Sequence, residues 1–270
     1  MPPMLNLLRP ILLALLAPLA AGCANMNLYS DQELEPLSAE AYQVATNEHG
    51  AITSGAQYEM VQRVAKRIAA ASEENFRWEA RLLKADDVPN AFCLPNGRIA
   101  IYTGILPVTQ TEDGLAVVMG HEVAHAVLRH GGKRMTQGLL TSAGLAAVQE
   151  GLGMSEMSPE AKHGVMAVLG LGTEVGIALP YSRDHESEAD VLGLRYAIRA
   201  GYDPNEAPRL WERMAKLGGN DTPEWLSTHP ASGARAAKLR DMIPTLVAEE
   251  RGWQPKTTTP APVPASGARN

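Results

Sequence analysis

The stretch GHEVAHAVLRHGG, residues 120–132, decides the reading of this chain. His121 and His125 stand four positions apart, with Glu122 directly after the first. On a helix, positions i and i+4 lie about 40° apart, so both imidazoles project from one face and can share a metal ion. Glu122 lies about 100° from His121, beside such a metal rather than in line with it, where a general base belongs. The other face carries Ala116, Met119, Val123, Ala126 and Val127. A helix apolar nearly all round is a buried one. Two histidines and a glutamate inside it need partners, because unpaired buried charge costs several kcal/mol. A metal ion supplies that partner. His130 lies on the far side of the helix, out of reach of the same metal. Standing before Gly131-Gly132, it reads as a helix C-terminal residue whose partly positive imidazole suits the dipole.

The rest of the chain sets the context. It has 270 residues, 45% of them hydrophobic, and a formal charge of −6. That is enough apolar material for a real core, and no long basic block points to a nucleic-acid partner. Two cysteines, Cys23 and Cys93, cannot make a disulfide framework. The N-terminus, MPPMLNLLRPILLALLAPLAAGC, has one arginine and then a short apolar run broken by Pro18. It reads as an export signal rather than a membrane span. Small residues before Cys23 resemble the lipobox of bacterial lipoproteins, although Ala20 stands where a leucine is usual. Cys23 is therefore expected to carry lipid and become the mature N-terminus, and Ala24 after it favours the outer membrane. Cys93 is then a free, buried thiol. The end of the chain, KTTTPAPVPASGARN, has no apolar period and reads as a disordered tail. The expected organisation is a signal peptide over 1–22, a linker and helix over 23–54, the main domain over 55–246 and a tail over 247–270.

Within the main domain, Val61, Val64, Ala65 and Ile68 follow helical spacing and predict a helix over about 55–71. FRWEARLLKA, residues 76–85, alternates apolar and charged residues and predicts a half-buried strand. NAFCLPNGRIAIYTG, residues 90–104, places Asn96-Gly97 between two short apolar runs, a hairpin signal. After Thr111 the period turns helical and stays so. The expected fold class is α+β, mainly helical, with a small antiparallel sheet. The stretch from Gly138 to Leu179 is rich in Gly, Ala, Leu, Val and Met. It reads as two core helices joined by a loop, or as an apolar flap over the cleft; its charged residues argue against a membrane span.

A third protein ligand must come from elsewhere. One zincin pattern continues with a glycine and a third histidine, but those places hold Leu128 and Gly131. The other pattern takes a glutamate from a later helix. SRDHESEADVLGLRYAIRAG, residues 182–201, offers Glu186 and Glu188. Glu186, Asp190, Gly193 and Ala197 share one face, and the two small residues let that face press against another helix. Glu188 falls with Asp184, Arg195 and Arg199 on a charged, wet face. Glu186 is thus the expected ligand, and Asp190 is placed to accept a hydrogen bond from the free nitrogen of a ligating histidine.

HEVAH, the downstream ESEAD and the preceding NAFCLPNGRIAIYTGIL, in that spatial combination, resemble the HtpX and CAAX-prenyl-protease family of zinc metallopeptidases, in its periplasmic lipoprotein (BepA/LoiP-like) branch. THPASGARAAKL, residues 228–239, resembles a further element of that family. The resemblance implies a gluzincin-like fold, one zinc ion per chain, and endopeptidase activity on misfolded or unassembled envelope proteins. It also implies that His229 and Arg235 line the active site on the substrate side, where a second electropositive group stabilises the developing oxyanion. His229 on a loop could instead occupy the open zinc position as an inhibitory ligand. Asn90, Ala91 and Phe92 match the edge strand that lies along the cleft in zincins, with the strand Ile99 to Tyr102 as the other choice. The alternative to a protease is a periplasmic chaperone or assembly factor for outer-membrane proteins, with a mostly closed zinc site.

Overall fold

The structure is a computed structural model that describes residues 26–139, 181–216, 224–229 and 233–254. The signal segment with Cys23, residues 255–270 of the C-terminal tail, nearly all of the 138–179 segment, and Pro230 and Ser232 lie outside the described residues; residues 247–249 continue the last helix. The chain opens with helix α1 (Asp31–His49), started by a capping box: the Ser30 side chain accepts from Glu33 N, and the Glu33 carboxylate accepts from Ser30 N. Strand β1 (Ala51–Ile52) and helix α2 (Ala56–Ser72) follow, then strands β2 (Glu79–Leu83), β3 (Ala91–Leu94) and β4 (Arg98–Tyr102). Helix α3 (Glu112–Val127) carries the opening motif, and residues 130–139 form a further helical stretch. Helices α4 (Arg183–Arg199), α5 (Glu206–Lys216), α6 (Glu224–Thr228) and α7 (Gly233–Glu249) complete the described fold.

The sheet order is β1-β2-β4-β3. Its outer pairs run antiparallel, but β2 and β4 pair in parallel, from Glu79 against Arg98 to Leu83 against Tyr102. The sheet is mixed rather than wholly antiparallel because the link after β2 skips one strand position. The chain lays β3 at the rim and returns through the hairpin to put β4 beside β2. The hairpin turns at Pro95-Asn96, and Asn96 and Gly97 both take positive φ, 72° and 89°. A Cβ on Gly97 would meet Phe76 Cβ at 2.8 Å and Trp78 Cε3 at 2.9 Å, so the turn has room only for glycine.

Both faces of the sheet are covered, so β2 is not half-exposed as its alternation suggests. Leu82, Ile99 and Ile101 face α2 and α3 in the main core, whereas Leu83, Ala100 and Tyr102 pack with Ala41, Tyr42 and Ala45 of α1. Arg81, from the charged side of the alternation, lies over the Tyr42 ring at 4.5 Å and donates to Thr46 Oγ1. An arginine stem can cover apolar surface while its head stays polar, which is how a charged strand face came to lie under a helix.

The decisive packing is between α3 and α4. A Cβ on Gly120 would meet Gly193 O at 2.7 Å, and one on Gly193 would meet Gly120 C and His121 N at 2.7 Å. The two backbones touch, as the small face of α4 suggests. This contact brings α4's carboxylates to α3's histidines. Among the described residues no helix is long and apolar enough to cross a membrane.

Candidate active site

Every residue from Gly114 to Ala126 of α3 is buried, and the helix is capped by the Thr111 hydroxyl accepting from Gly114 N. His121 and His125 project from one face, with their Nε2 atoms 3.0 Å apart. α4 is started by Ser182, whose hydroxyl accepts from His185 N, and it delivers Glu186 one turn later. Glu186 Oε1 lies 3.3 Å from His125 Nε2, and Oε2 lies 3.6 Å from His121 Nε2. His229, just after α6, joins them: its Nδ1 is 2.9 Å from Glu186 Oε1 and 3.4 Å from His121 Nε2. One ligand atom from each of His121, His125, Glu186 and His229 lies within 4.8 Å of all the others, and all four residues are buried. Three nitrogens and a carboxylate oxygen converging within 4.8 Å fit a borderline cation such as zinc.

Two carboxylates beyond Glu186 are held in place. Asp190 Oδ1 lies 3.2 Å from His121 Nδ1, the nitrogen turned away from the cluster. Glu122 Oε1 accepts from Trp225 Nε1 at 2.8 Å and lies 3.5 Å from His229 Nε2. Arg235, on α7, is spent on α4: Nε and Nη2 reach both oxygens of Asp190 at 2.6 and 2.8 Å, and Nη1 reaches Glu186 Oε2 at 2.5 Å. Its guanidinium lies 3.5 Å from the centre of the Trp211 ring. Its Nη2 also lies 3.4 Å from His121 Nε2, so the guanidinium borders the cluster that the resemblance expects it to line.

The charges follow from this packing. Burial pushes the Glu186 carboxyl up, but the three surrounding imidazoles bring it well below the carboxylate range. Burial likewise raises Asp190, and the Arg235 hydrogen bonds outweigh it, leaving Asp190 lowered. Burial pulls His125 well below its ordinary value, so the ring is neutral and able to act as a ligand.

His130 departs from its sequence reading. The helix ends before it, at Val127, and His130 starts the 130–139 stretch, fully buried at 0% exposure. Burial lowers its pKa to about 4, so it carries no positive charge at neutral pH. Glu188 keeps the exposed side expected of it but reaches in to His130, with its Oε2 3.0 Å from His130 Nε2.

A cleft runs past the cluster, lined by Asn90 to Asn96, Glu122, His125, Tyr181 and His229 among others. β3 forms its wall, and among the described residues no strand pairs with the outer edge of β3. β4, the other choice for an edge, is internal. Cys93 lies on this wall, and burial pushes its thiol well above the ordinary value. Two aromatic residues escaped sequence reading. Tyr181 packs on the His125 ring at 4.0 Å and lies under the Arg134 guanidinium, also at 4.0 Å. Trp225 holds Glu122. Its one sequence signal is spacing: it lies four residues before His229, and its carbonyl accepts from His229 N.

The profile of peptidase family M48 matches residues 55–243. The mitochondrial metalloendopeptidase OMA1 of Schizosaccharomyces pombe is 37% identical over 187 residues, covering 68% of this chain and 52% of that protein. The human mitochondrial metalloendopeptidase OMA1 is 34% identical over 167 residues, 57% of this chain and 30% of its own. A putative beta-barrel assembly-enhancing protease of Vibrio cholerae is 29% identical over 222 residues, 81% of this chain and 45% of its own. The chain thus spans about half, or less, of the length of these relatives. The matched profile runs from before β2 into α7, taking in both helices that cross at Gly120 and Gly193 and every buried polar group around them. The chain belongs to peptidase family M48.

Proposed function

We propose that the protein is a zinc endopeptidase that degrades misfolded or unassembled proteins of a bacterial cell envelope, held to the outer membrane on its periplasmic side by lipid on Cys23. The observation that carries the chemistry is the convergence of four buried ligand atoms within 4.8 Å, beside Glu122 and a strand edge that is unpaired among the described residues. His121, His125 and Glu186 would hold one zinc ion, with His229 as a fourth ligand in the resting enzyme. When bound, the ion supplies Lewis acidity for attack on a peptide carbonyl. The chain's own residues do the rest. Glu122 takes the proton from the attacking water and passes it to the leaving amine. The Trp225 N–H at 2.8 Å fixes one Glu122 oxygen and leaves the other for that proton. Asp190 orients His121, and Arg235 keeps Asp190 anionic while pairing with Glu186.

Substrate binding follows from β3. An extended chain adding along Asn90, Ala91 and Phe92 would be held by backbone hydrogen bonds, which are nearly indifferent to sequence. Such binding suits an enzyme that must accept many unfolded chains. The Vibrio relative's name, a beta-barrel assembly-enhancing protease, supports an envelope setting, and the OMA1 relatives are named as mitochondrial.

The test is cleavage of an unfolded protein such as reduced casein by the purified full chain. Cleavage should stop with a chelator and return with added zinc. Cleavage indifferent to the chelator would sink the metal reading, and no cleavage by zinc-loaded protein would favour the chaperone. The anchor is tested separately. Cys23→Ala should move the protein from the membrane to the soluble fraction, because a doubly or triply acylated terminus binds a bilayer far more strongly than a single chain does. A variant that stays with the membranes would overturn the lipid anchor and leave the peptidase reading intact.

A further inference from the structure

A histidine that binds a metal through Nε2 must carry its proton on Nδ1, and that proton needs an acceptor. For His121 the nearby acceptor is Asp190, whose Oδ1 lies 3.2 Å from Nδ1. For His125, Nδ1 lies 3.0 Å from Nδ1 of His130. On an unbroken helix, a residue five positions on would lie about 140° away and could not face it. The backbone makes the meeting possible. α3 stops at Val127, Arg129 takes a left-handed φ of 57°, and a new helical stretch starts at His130. Left-handed backbone at a residue with a Cβ is uncommon and persists where the surroundings require it.

The other side of His130 is set by α4. Its Nε2 lies 3.0 Å from Glu188 Oε2, and its ring stacks on His185 at 4.2 Å with the planes 19° apart. A carboxylate only accepts, so the His130 proton sits on Nε2 and its Nδ1 is left as an acceptor. The opposite arrangement, with His130 Nδ1 donating, would need the His125 proton on Nε2, where it would block the metal. The two distances allow one proton order compatible with a ligating His125.

We propose that His130 is a positioning residue of the metal centre: it accepts the His125 Nδ1 proton, donates its own to Glu188, and so fixes the His125 tautomer and ring plane that present Nε2 to the ion. The relay rests on the reading of His125 as a metal ligand. It also gives Glu188 a task distinct from that of Glu186. One helix supplies a ligand directly through Glu186 and steadies a second ligand through two side chains.

The experiment measures zinc affinity by competition with a chromophoric chelator in the full-length protein. His130→Phe keeps a ring to stack on His185 and removes both hydrogen bonds; its zinc dissociation constant should rise about 10–100-fold. His130→Asn restores an acceptor near the Nδ1 position and should recover most of that loss. Glu188→Ala, at a side chain 48% exposed, should weaken binding by a few-fold, and Glu188→Gln by less. A lower melting temperature of the metal-free His130→Phe protein with unchanged affinity would show a merely structural role and overturn the relay. So would equal losses in His130→Phe and His130→Asn. Should His130→Phe not fold, Glu188→Ala decides, and wild-type affinity there overturns it. A wild-type protein that binds no zinc would instead remove the metal centre itself, which separates the two failures.

Discussion

Glu122→Gln is expected to keep its metal and lose about 10²–10⁴-fold in kcat, the usual contribution of a positioned general base. The amide fills the same space and can still pair with the Trp225 N–H, since its oxygen accepts as the carboxylate does. It cannot take a proton. The loss should therefore fall on kcat with KM little changed, the signature of an interaction made in the transition state. Steady-state kinetics on a short peptide, with metal content measured on the same preparation, checks it. Wild-type turnover in this variant would remove Glu122 from the mechanism. The same assay reads His229. If its imidazole occupies the position that water needs, His229→Ala raises turnover. If it aids the developing oxyanion, His229→Ala lowers kcat with metal retained.

Glu186→Ala is expected to lose the metal, and activity with it. Removing a ligand should weaken binding by more than the roughly 10–100-fold that loss of an outer hydrogen-bond partner costs. The variant also removes the Arg235 contact with Glu186, and leaves His125 and His229 without the carboxylate between them. Metal analysis after dialysis and the chelator titration both read this out. Retention of a full equivalent of zinc would mean that another group replaces Glu186. Metal affinity should also fall on acidification, and at His125 only below the ordinary histidine range, because burial already keeps that imidazole neutral within it.

Much of this centre was legible in the sequence, and the reasons are local. His121, Glu122 and His125 lie within one turn of a helix, so periodicity alone fixes their relation. Glu186 was separable from Glu188 because Gly193 and Ala197 mark which face of α4 meets a neighbour. The hairpin was legible because Asn96 and Gly97 are the residues that tolerate positive φ. The unread features are long-range or run against local rules. Nothing in β2 shows that it pairs in parallel with β4, since a strand's own pattern does not name its partner. α1 on the second face of the sheet was hidden for the same reason. The left-handed Arg129 breaks a helix whose composition favours continuing, so His130 was placed on the wrong side of it. The pairing of Arg235 with two carboxylates on another helix is visible only when α4 and α7 are assembled.

The contact between Gly120 and Gly193 makes the centre's dimensions a property of the main chain. Histidines and carboxylates are set apart by how closely two helical backbones approach, with no side chain between them to adjust. Genetic robustness is therefore low at two positions that touch neither metal nor substrate. A single added methyl there acts as a spacer and widens the whole ligand set at once. Loss of proteolysis in a mutational screen should thus cluster at these glycines as sharply as at the histidines, although no chemistry is written in a hydrogen atom.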